Sequence, residues 1–506
     1  MAFDQILYQL SVTISRYYLI GFTHIYIYHL RLDKKYSYFD STITKNLIEG
    51  GIETRPVKAN GLWCPALIPT MLVLYSSLYQ VSTLYKLTTF LSVGLLCYCL
   101  LFILFLSVSS EVLKEPEYGG CIASGLVASM LVYTFLDTDL TYSLGISLTT
   151  VYFFTWLLRN SIMMCPKTFT IGEAMIVTQS VALFTMMSVA KFFFDFPCDD
   201  EEFEFISTIL STVGLIVTAL ITLPDEHRNM QILAYIMASG AAFVMLLLHS
   251  LLGITCLVKI VKYVFFEQDR ATIFTFWLIL VVLAVIALSF RTKLAVKATT
   301  VTRKSFHVLA SMVFLSGIIF DVYLMTFAAG VGLGILVLVE ALRKSRIKPI
   351  STALQSAFLV YSDEKDCGVF AMTPLYLYVG LAFPLLAVPA HEGRTLELLS
   401  GVLAIGVGDS AASWFGSNYG FNKWSSTNRT YEGTLFNILS QVGTVYSMRF
   451  YKVYVIAGLI HVNNAIRRTV VAATAAALVE ARTAQVDNLV LPLVTLIAFQ
   501  LTWFMC

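Results

Sequence analysis

The chain is a near-continuous series of apolar stretches joined by short polar links. A helix that crosses the hydrocarbon core of a bilayer needs about 20 mostly apolar residues. Stretches of that kind lie near 7–30, 62–80, 87–108, 119–136, 140–158, 173–194, 204–223, 231–258, 272–290, 305–320, 322–342, 370–389, 396–416, 433–448, 466–482 and 488–505. They predict an all-α polytopic membrane protein with about 13–16 transmembrane helices. Composition agrees: 58% of the residues are hydrophobic and 13% charged. Soluble proteins carry about a quarter charged residues, so the bilayer is the natural solvent here. A net charge of +2 provides no global basic field for nucleic acid. The nine cysteines form no CxxC pair, which argues against a zinc site or disulfide framework. Arg16 interrupts the apolar first 30 residues, which read as an anchor rather than a cleaved signal peptide. The chain ends within an apolar run, without a soluble retrieval tetrapeptide.

No internal repeat, low-complexity tract or soluble domain stands out. The chain changes character at about residue 291. In 1–290 the spans hold few charges, and acids gather in the loop 195–204. In 291–506 polar and charged residues enter or flank the spans. Such residues are expensive in lipid and are usually functional or packed inward. The chemistry is therefore expected in 291–506, with 1–290 as scaffold or lipid-binding wall. Orientation follows from basic clusters, which favour the cytosolic side. Arg291, Lys293, Lys297, Arg303 and Lys304 form one cluster, and Arg343, Lys344, Arg346 and Lys348 another. A two-span hairpin with Asp321 at its turn separates them. One span then leads out to His391–Arg394, and the next, 396–416, returns. The loop 417–432 is thus expected on the cytosolic side.

The densest polar motif is Gly406-Val-Gly-Asp-Ser-Ala-Ala-Ser-Trp-Phe-Gly416. Gly406, Asp409, Ser410, Ser413, Gly416 and Ser417 recur at helical spacing on one small, polar face. Close helix packing accounts equally well for the glycines and serines. Asp409 tips the balance, because a carboxylate at a span end must be paired or bind a cation. The following loop is Ser417, Asn418, Tyr419, Gly420, Phe421, Asn422, Lys423, Trp424, Ser425, Ser426, Thr427, Asn428, Arg429, Thr430, Tyr431 and Glu432. It offers cations for phosphates, glycine for close approach and an aromatic ring for a base, which suits a nucleoside triphosphate. It is not a P-loop, since no GxxxxGK[ST] occurs.

Glu480, Thr483 and Asp487, followed by Asn488, fall at helical spacing. Two carboxylates on one face suit a divalent cation bridged to phosphate. A solvated helix end is the alternative. Arg303, Lys304 and His307 begin another span and serve either structure or a phosphate. Glu340 and Arg343, with Asp366 further on, make a fourth polar group. The glycines at 330, 332 and 334 lie inside a span, where close helix packing explains them better than a dinucleotide turn.

In order and spacing, RKSFH at 303–307, Glu340–Arg343, DEKDCG at 363–368, GVGDSAASWFGSNYG at 406–420, TYEGT at 430–434 and EARTAQVDNLVLP at 480–492 resemble the dolichol kinase and wider polyprenol kinase group. The resemblance covers roughly 300–500. It implies an endoplasmic-reticulum membrane enzyme that uses CTP to phosphorylate the terminal alcohol of dolichol, and the paired carboxylates above suit Mg²⁺ as its divalent cation. The product, dolichyl phosphate, carries sugars for N-glycosylation. It further implies that 417–432 is the CTP loop. Members usually show Trp-Pro-Gly-Thr-Lys-Lys there, whereas this chain has Trp424-Ser-Ser-Thr-Asn-Arg429, which retains one of the two cations.

On this reading Asp409, Glu432 and Asp487 are the catalytic carboxylates, with Asp409 and Asp487 as metal ligands. Lys423 and Arg429 neutralise phosphates, and Arg303, Lys304 and His307 form a second cationic cluster. A cytidylyltransferase, or a kinase of another lipid alcohol, is the nearest alternative. A transporter would place its charges near mid-span, whereas here they gather at span ends and in one loop.

Overall fold

The computed structural model describes residues 37–114, 118–194, 201–266, 270–294, 300–361, 366–389, 393–424, 427–448 and 462–503. The expected span 7–30, the residues 195–200, His391 and the basic stretch 449–461 lie outside them, as do Ser425, Ser426 and the side chain of Arg303. The described residues are helical apart from turns and one isolated antiparallel bridge, Lys423 with Thr430. They fall into two compact units. The first is the chain up to Asp199 with the short segments Cys367–Val369 and Thr483–Val486; the second is the remainder. The change of character near residue 291 is one of chemistry and falls within the second unit.

The first unit contains α1 (37–49), α2 (Leu67–Leu78), α3 (Thr83–Val108), α4 (Tyr118–Leu136), α5 (Leu140–Met164) and α6 (Ile171–Phe194). Ser82 caps α3 by accepting the Tyr85 N–H at 3.3 Å. Its polar anchor is Glu173, fully buried at the start of α6. Glu173 pairs with Arg55 at 2.5 and 3.2 Å and accepts the backbone N–H groups of Thr170 and Val486 at 3.0 and 2.9 Å. Gln485 accepts from the Thr170 hydroxyl at 2.6 Å and donates to the Ala59 carbonyl at 2.8 Å. A buried ion pair stabilises only when its remaining lone pairs and protons are also partnered, and here both carboxylate oxygens are.

The second unit begins with α7 (Glu201–Thr222), α8 (Met230–Leu252), α9 (Cys256–Phe265), α10 (Arg270–Leu294), α11 (Thr300–Phe320), α12 (Val322–Lys344), α13 (Ile350–Tyr361) and α14 (Met372–Ala387). Asp321 terminates the α11–α12 turn twice over: it accepts the Leu324 N–H at 2.9 Å and pairs with Arg270 at 2.5 Å. Helix α12 packs on α7 and α14. A β-carbon at Gly330 would come within 2.6 Å of Ile206 on α7, so this glycine serves helix packing, as its place inside a span implies.

The expected span 396–416 is a composite of the single turn Thr395–Leu398, a π-helix over Val402–Asp409, and α15 (Ser410–Tyr419). A π-helix is rare, occurs mostly as a single wide turn within an α-helix, and is frequent at functional sites. Three more helices follow: α16 (Tyr431–Ser447), α17 (Val462–Arg482) and α18 (Asp487–Leu501). They pack on one another in sequence, and α11, α16, α17 and α18 surround the π-helix.

The protein is an all-α polytopic membrane protein. Among the described residues six helices are long and apolar enough to cross a membrane: Thr83–Val108, Tyr118–Leu136, Ile171–Lys191, Glu204–Thr222, Met230–Ser250 and Val322–Lys344. The pair Cys256–Phe265 and Arg270–Ile286, bent by 79°, makes a seventh if taken as one span. This is fewer than the expected 13–16. Among the expected stretches, 370–389 and 488–505 form apolar helices of 16 and 15 residues, Met372–Ala387 and Asp487–Leu501, and 466–482 lies in α17, which is only weakly apolar.

Candidate active site

Lys304 and His307 lie one turn apart near the start of α11. Asp409 closes the π-helix, and Arg429 sits just before α16. Glu480 is in the last turn of α17, and Asp487 and Asn488 open α18. Packing around the π-helix brings these segments together. Lys304 Nζ pairs with Asp409 Oδ2. Arg429 Nη2 donates to both oxygens of Asp487, at 2.8 and 2.9 Å, while Nη1 lies 3.2 Å from Glu480 Oε1 and also donates to the Glu480 carbonyl. Asn488 Nδ2 and His307 Nε2 are 3.4 Å apart. Asp409, Glu480, Asp487, Asn488 and His307 are all buried. Burial opposes the charge on Arg429, but the carboxylates of Asp487 and Glu480 beside it, with Asp409 further off, hold the guanidinium protonated well above its ordinary range. The result is a buried centre of three carboxylates interleaved with two cations.

The loop is a narrow hairpin over this centre. Trp424 N–H donates to the Arg429 carbonyl at 2.9 Å, and Tyr431 N–H to the Asn422 carbonyl at 2.9 Å. Trp424 Nε1 donates to Thr434 Oγ1 at 3.0 Å, and its ring contacts Tyr431 at 4.2 Å and lies 5.6 Å from the Arg482 guanidinium. Thr427 ties the tip to α17 by donating to the Ala481 carbonyl at 2.9 Å. Thr430 caps α16, its hydroxyl accepting the Gly433 N–H at 3.1 Å. Trp424 is half-buried, whereas Ser417, Asn418, Tyr419, Phe421, Lys423 and Asn428 are exposed. Phe421 is 87% exposed, which leaves an unencumbered aromatic face beside the hairpin.

Glu432 is not drawn into the carboxylate centre. It accepts from Asn422 N at 3.2 Å and from Asn422 Nδ2 at 3.0 Å. Hydrogen bonds from its own backbone N–H and from Asn422 hold its carboxyl below the ordinary glutamate range. Its local work is to close the hairpin.

Glu340, Arg343 and Asp366 form a separate group. Arg343 donates to Glu340 at 2.8 and 2.6 Å and to Gln355 at 2.5 Å, with its guanidinium 4.3 Å from the Phe358 ring centre. Glu340 accepts the Ala371 N–H at 2.8 Å, and Asp366 accepts the Thr373 N–H at 2.9 Å. These bonds pin the ends of α12 and α14.

The sequence reading overlooked Asn437 and Gln441, both fully buried on α16. Asn437 Nδ2 donates to Glu480 Oε2, and Gln441 Nε2 donates to Asn437 Oδ1 at 2.5 Å. Two amides four residues apart inside an apolar helix were the available signal.

Among the described residues no group of three or more His, Cys, Asp or Glu side chains is arranged to hold a metal ion by itself. Mg²⁺ seldom needs such a cage, since it commonly binds through one or two carboxylates together with substrate phosphates and water. Asp409 and Asp487 carry carboxylates of that chemistry, here paired with Lys304 and Arg429.

Comparison with known proteins gives one consistent answer. The sequence pattern of the dolichol kinase family matches residues 90–377. The chain is 28% identical over 402 residues to the dolichol kinase of Mus musculus, covering 74% of this chain and 73% of that one. It is 27% identical over 405 residues to the Bos taurus dolichol kinase, with 74% and 73% covered. The Arabidopsis thaliana dolichol kinase EVAN is 28% identical over 238 residues, 46% of this chain and 41% of its own. No solved structure matches the chain.

Proposed function

The chain belongs to the dolichol kinase family, and from that premise we propose that it transfers the γ-phosphoryl group of CTP to the terminal hydroxyl of dolichol. The observation that carries this reading is the convergence of Lys304, Asp409, Arg429, Glu480 and Asp487 in one buried centre under the hairpin. Phosphoryl transfer asks little of a protein beyond positioning and charge neutralisation, and alternating cations and carboxylates supply both. The dolichol oxygen attacks the γ-phosphorus, the bond from that phosphorus to the β-phosphate oxygen breaks, and CDP leaves. The hydroxyl proton passes to a carboxylate of the centre, Asp409 or Asp487. Lys304 and Arg429 lie where they can turn from these carboxylates to the phosphates, and Lys423 adds a cation at the loop surface. Mg²⁺, held with CTP by whichever of Asp409 and Asp487 does not take the proton, would neutralise phosphate charge.

In this reading 417–432 holds the nucleotide, 291–506 is the catalytic region and 1–290 the membrane scaffold. Glu432 serves the site by fixing the hairpin. The alcohol is apolar except at one end, so it lies among helices with its hydroxyl at the membrane interface. The protein works in the endoplasmic-reticulum membrane with its loop toward the cytosol, where CTP is available, and its product supports protein glycosylation.

The test is purified protein with γ-labelled CTP and dolichol. Labelled dolichyl phosphate and CDP are expected, with CTP used far better than ATP. Release of pyrophosphate would instead mark a cytidylyltransferase, and equal or faster turnover with ATP would overturn the assignment of the nucleotide.

A further inference from the structure

The buried face of α16 is a single stripe, Gly433, Asn437, Gln441 and Val445, repeating every four residues. Two of its members are amides with no exposed surface. Burying an amide costs free energy unless it is hydrogen-bonded, so both need a local reason to be there. The bonds run in one direction. Gln441 Nε2 donates to Asn437 Oδ1, so Asn437 must turn its Nδ2 toward Glu480, where it donates to Oε2. Glu480 Oε1 faces Arg429. The carboxylate is thus gripped at one oxygen by a loop cation and at the other by an amide that can only donate.

The same amides also set the π-helix. A β-carbon at Gly408 would lie 2.5 Å from both Asn437 Oδ1 and Gln441 Nε2, so the π-helix backbone rests directly on the pair. The next residue is Asp409. One buried amide pair therefore locates Glu480 by a hydrogen bond and Asp409 by backbone contact.

We propose that Asn437 and Gln441 are positioning residues for phosphoryl transfer, holding Glu480 toward Arg429 and seating the π-helix that carries Asp409. The proposal rests on the kinase reading above. Besides the amides, the charged groups around Glu480 are Arg429, Lys304, Asp409 and Asp487.

The experiment compares wild-type protein with Asn437→Asp across pH, using CTP and dolichol and measuring kcat and KM for CTP. A carboxylate at 437 cannot donate, and two carboxylates in contact share a proton rather than both ionise. At pH 8 kcat falls at least about tenfold, with KM for CTP within about threefold. As pH falls the shared proton restores a donor toward Glu480, so activity recovers and the optimum moves to lower pH. Asn437→Leu, with no donor at any pH, shows no such recovery. A wild-type pH profile in Asn437→Asp, or a loss that pH does not change, overturns the proposal. Should Asn437→Asp not accumulate, Gln441→Glu gives the same reading, because its ionised form would turn the Asn437 amide around. Wild-type protein inactive with CTP and dolichol would sink the kinase reading itself, a result distinct from any variant's profile.

Discussion

Asp409 is buried against Lys304 at the end of the π-helix, so its charge has a defined partner to lose. Asp409→Asn keeps the size and removes the charge. Turnover should fall by at least about 10²-fold, the usual scale for a base or electrostatic stabiliser, with protein level little changed. Near-normal turnover would leave Asp409 a packing role. Arg429 touches Asp487 and Glu480 together through a planar fork that lysine does not reproduce. Arg429→Lys should therefore lose at least about tenfold in activity, since one charge-assisted hydrogen bond contributes about 1.5–3 kcal/mol. Most of this centre was legible in the sequence because charge beside an apolar span must find a partner. Asn437 and Gln441 were not, because neutral amides give no comparable signal in a list of residues. Glu432 was marked for chemistry by its charge, and in the structure its nearest donors belong to Asn422.

At the scale of elements, the loop 417–432 depends on the helix that follows it. Thr430 caps α16 and also pairs with Lys423 across the hairpin, so helix start and loop closure share one residue. Thr430→Ala should cost about 1 kcal/mol, the usual worth of such a cap. It should also raise KM for CTP, as measured by melting in detergent and by steady-state kinetics. An unchanged KM would separate the cap from nucleotide binding. In the first unit, Glu173→Ala would strand Arg55 in a buried position, a loss of about 3–5 kcal/mol. The number of long apolar helices was harder to read than their existence. A run of apolar residues predicts burial, but α11 and the shorter α18 use that burial to enclose a polar centre. Hydropathy does not distinguish the two uses.

For the whole molecule, sidedness can be tested with the sequence's own reporter. Asn428-Arg-Thr430 is an N-x-[ST] sequon on an exposed residue of the hairpin. If the loop faces the cytosol, Asn428 stays unmodified despite its accessibility. Glycosidase treatment should leave mobility unchanged, while a sequon engineered into the stretch 391–394 should acquire a glycan. A glycan on Asn428 would overturn both the topology and the nucleotide loop. The π-helix bears on the whole chain in another way. Its hydrogen bonds skip one residue more than those of an α-helix, so the stretch 402–409 stores a surplus in the count. Deleting the buried Ala404 would remove that surplus, so the ladder would relax to α winding while the helix beyond it kept its phase. Asp409 would still face Lys304, with no side chain of the centre altered. A deletion inside α15 has no surplus to draw on and turns everything beyond it by about 100°, the rotation of one α-helical residue, so turnover should survive the loss of one residue in 402–409 better than the loss of one in 410–419.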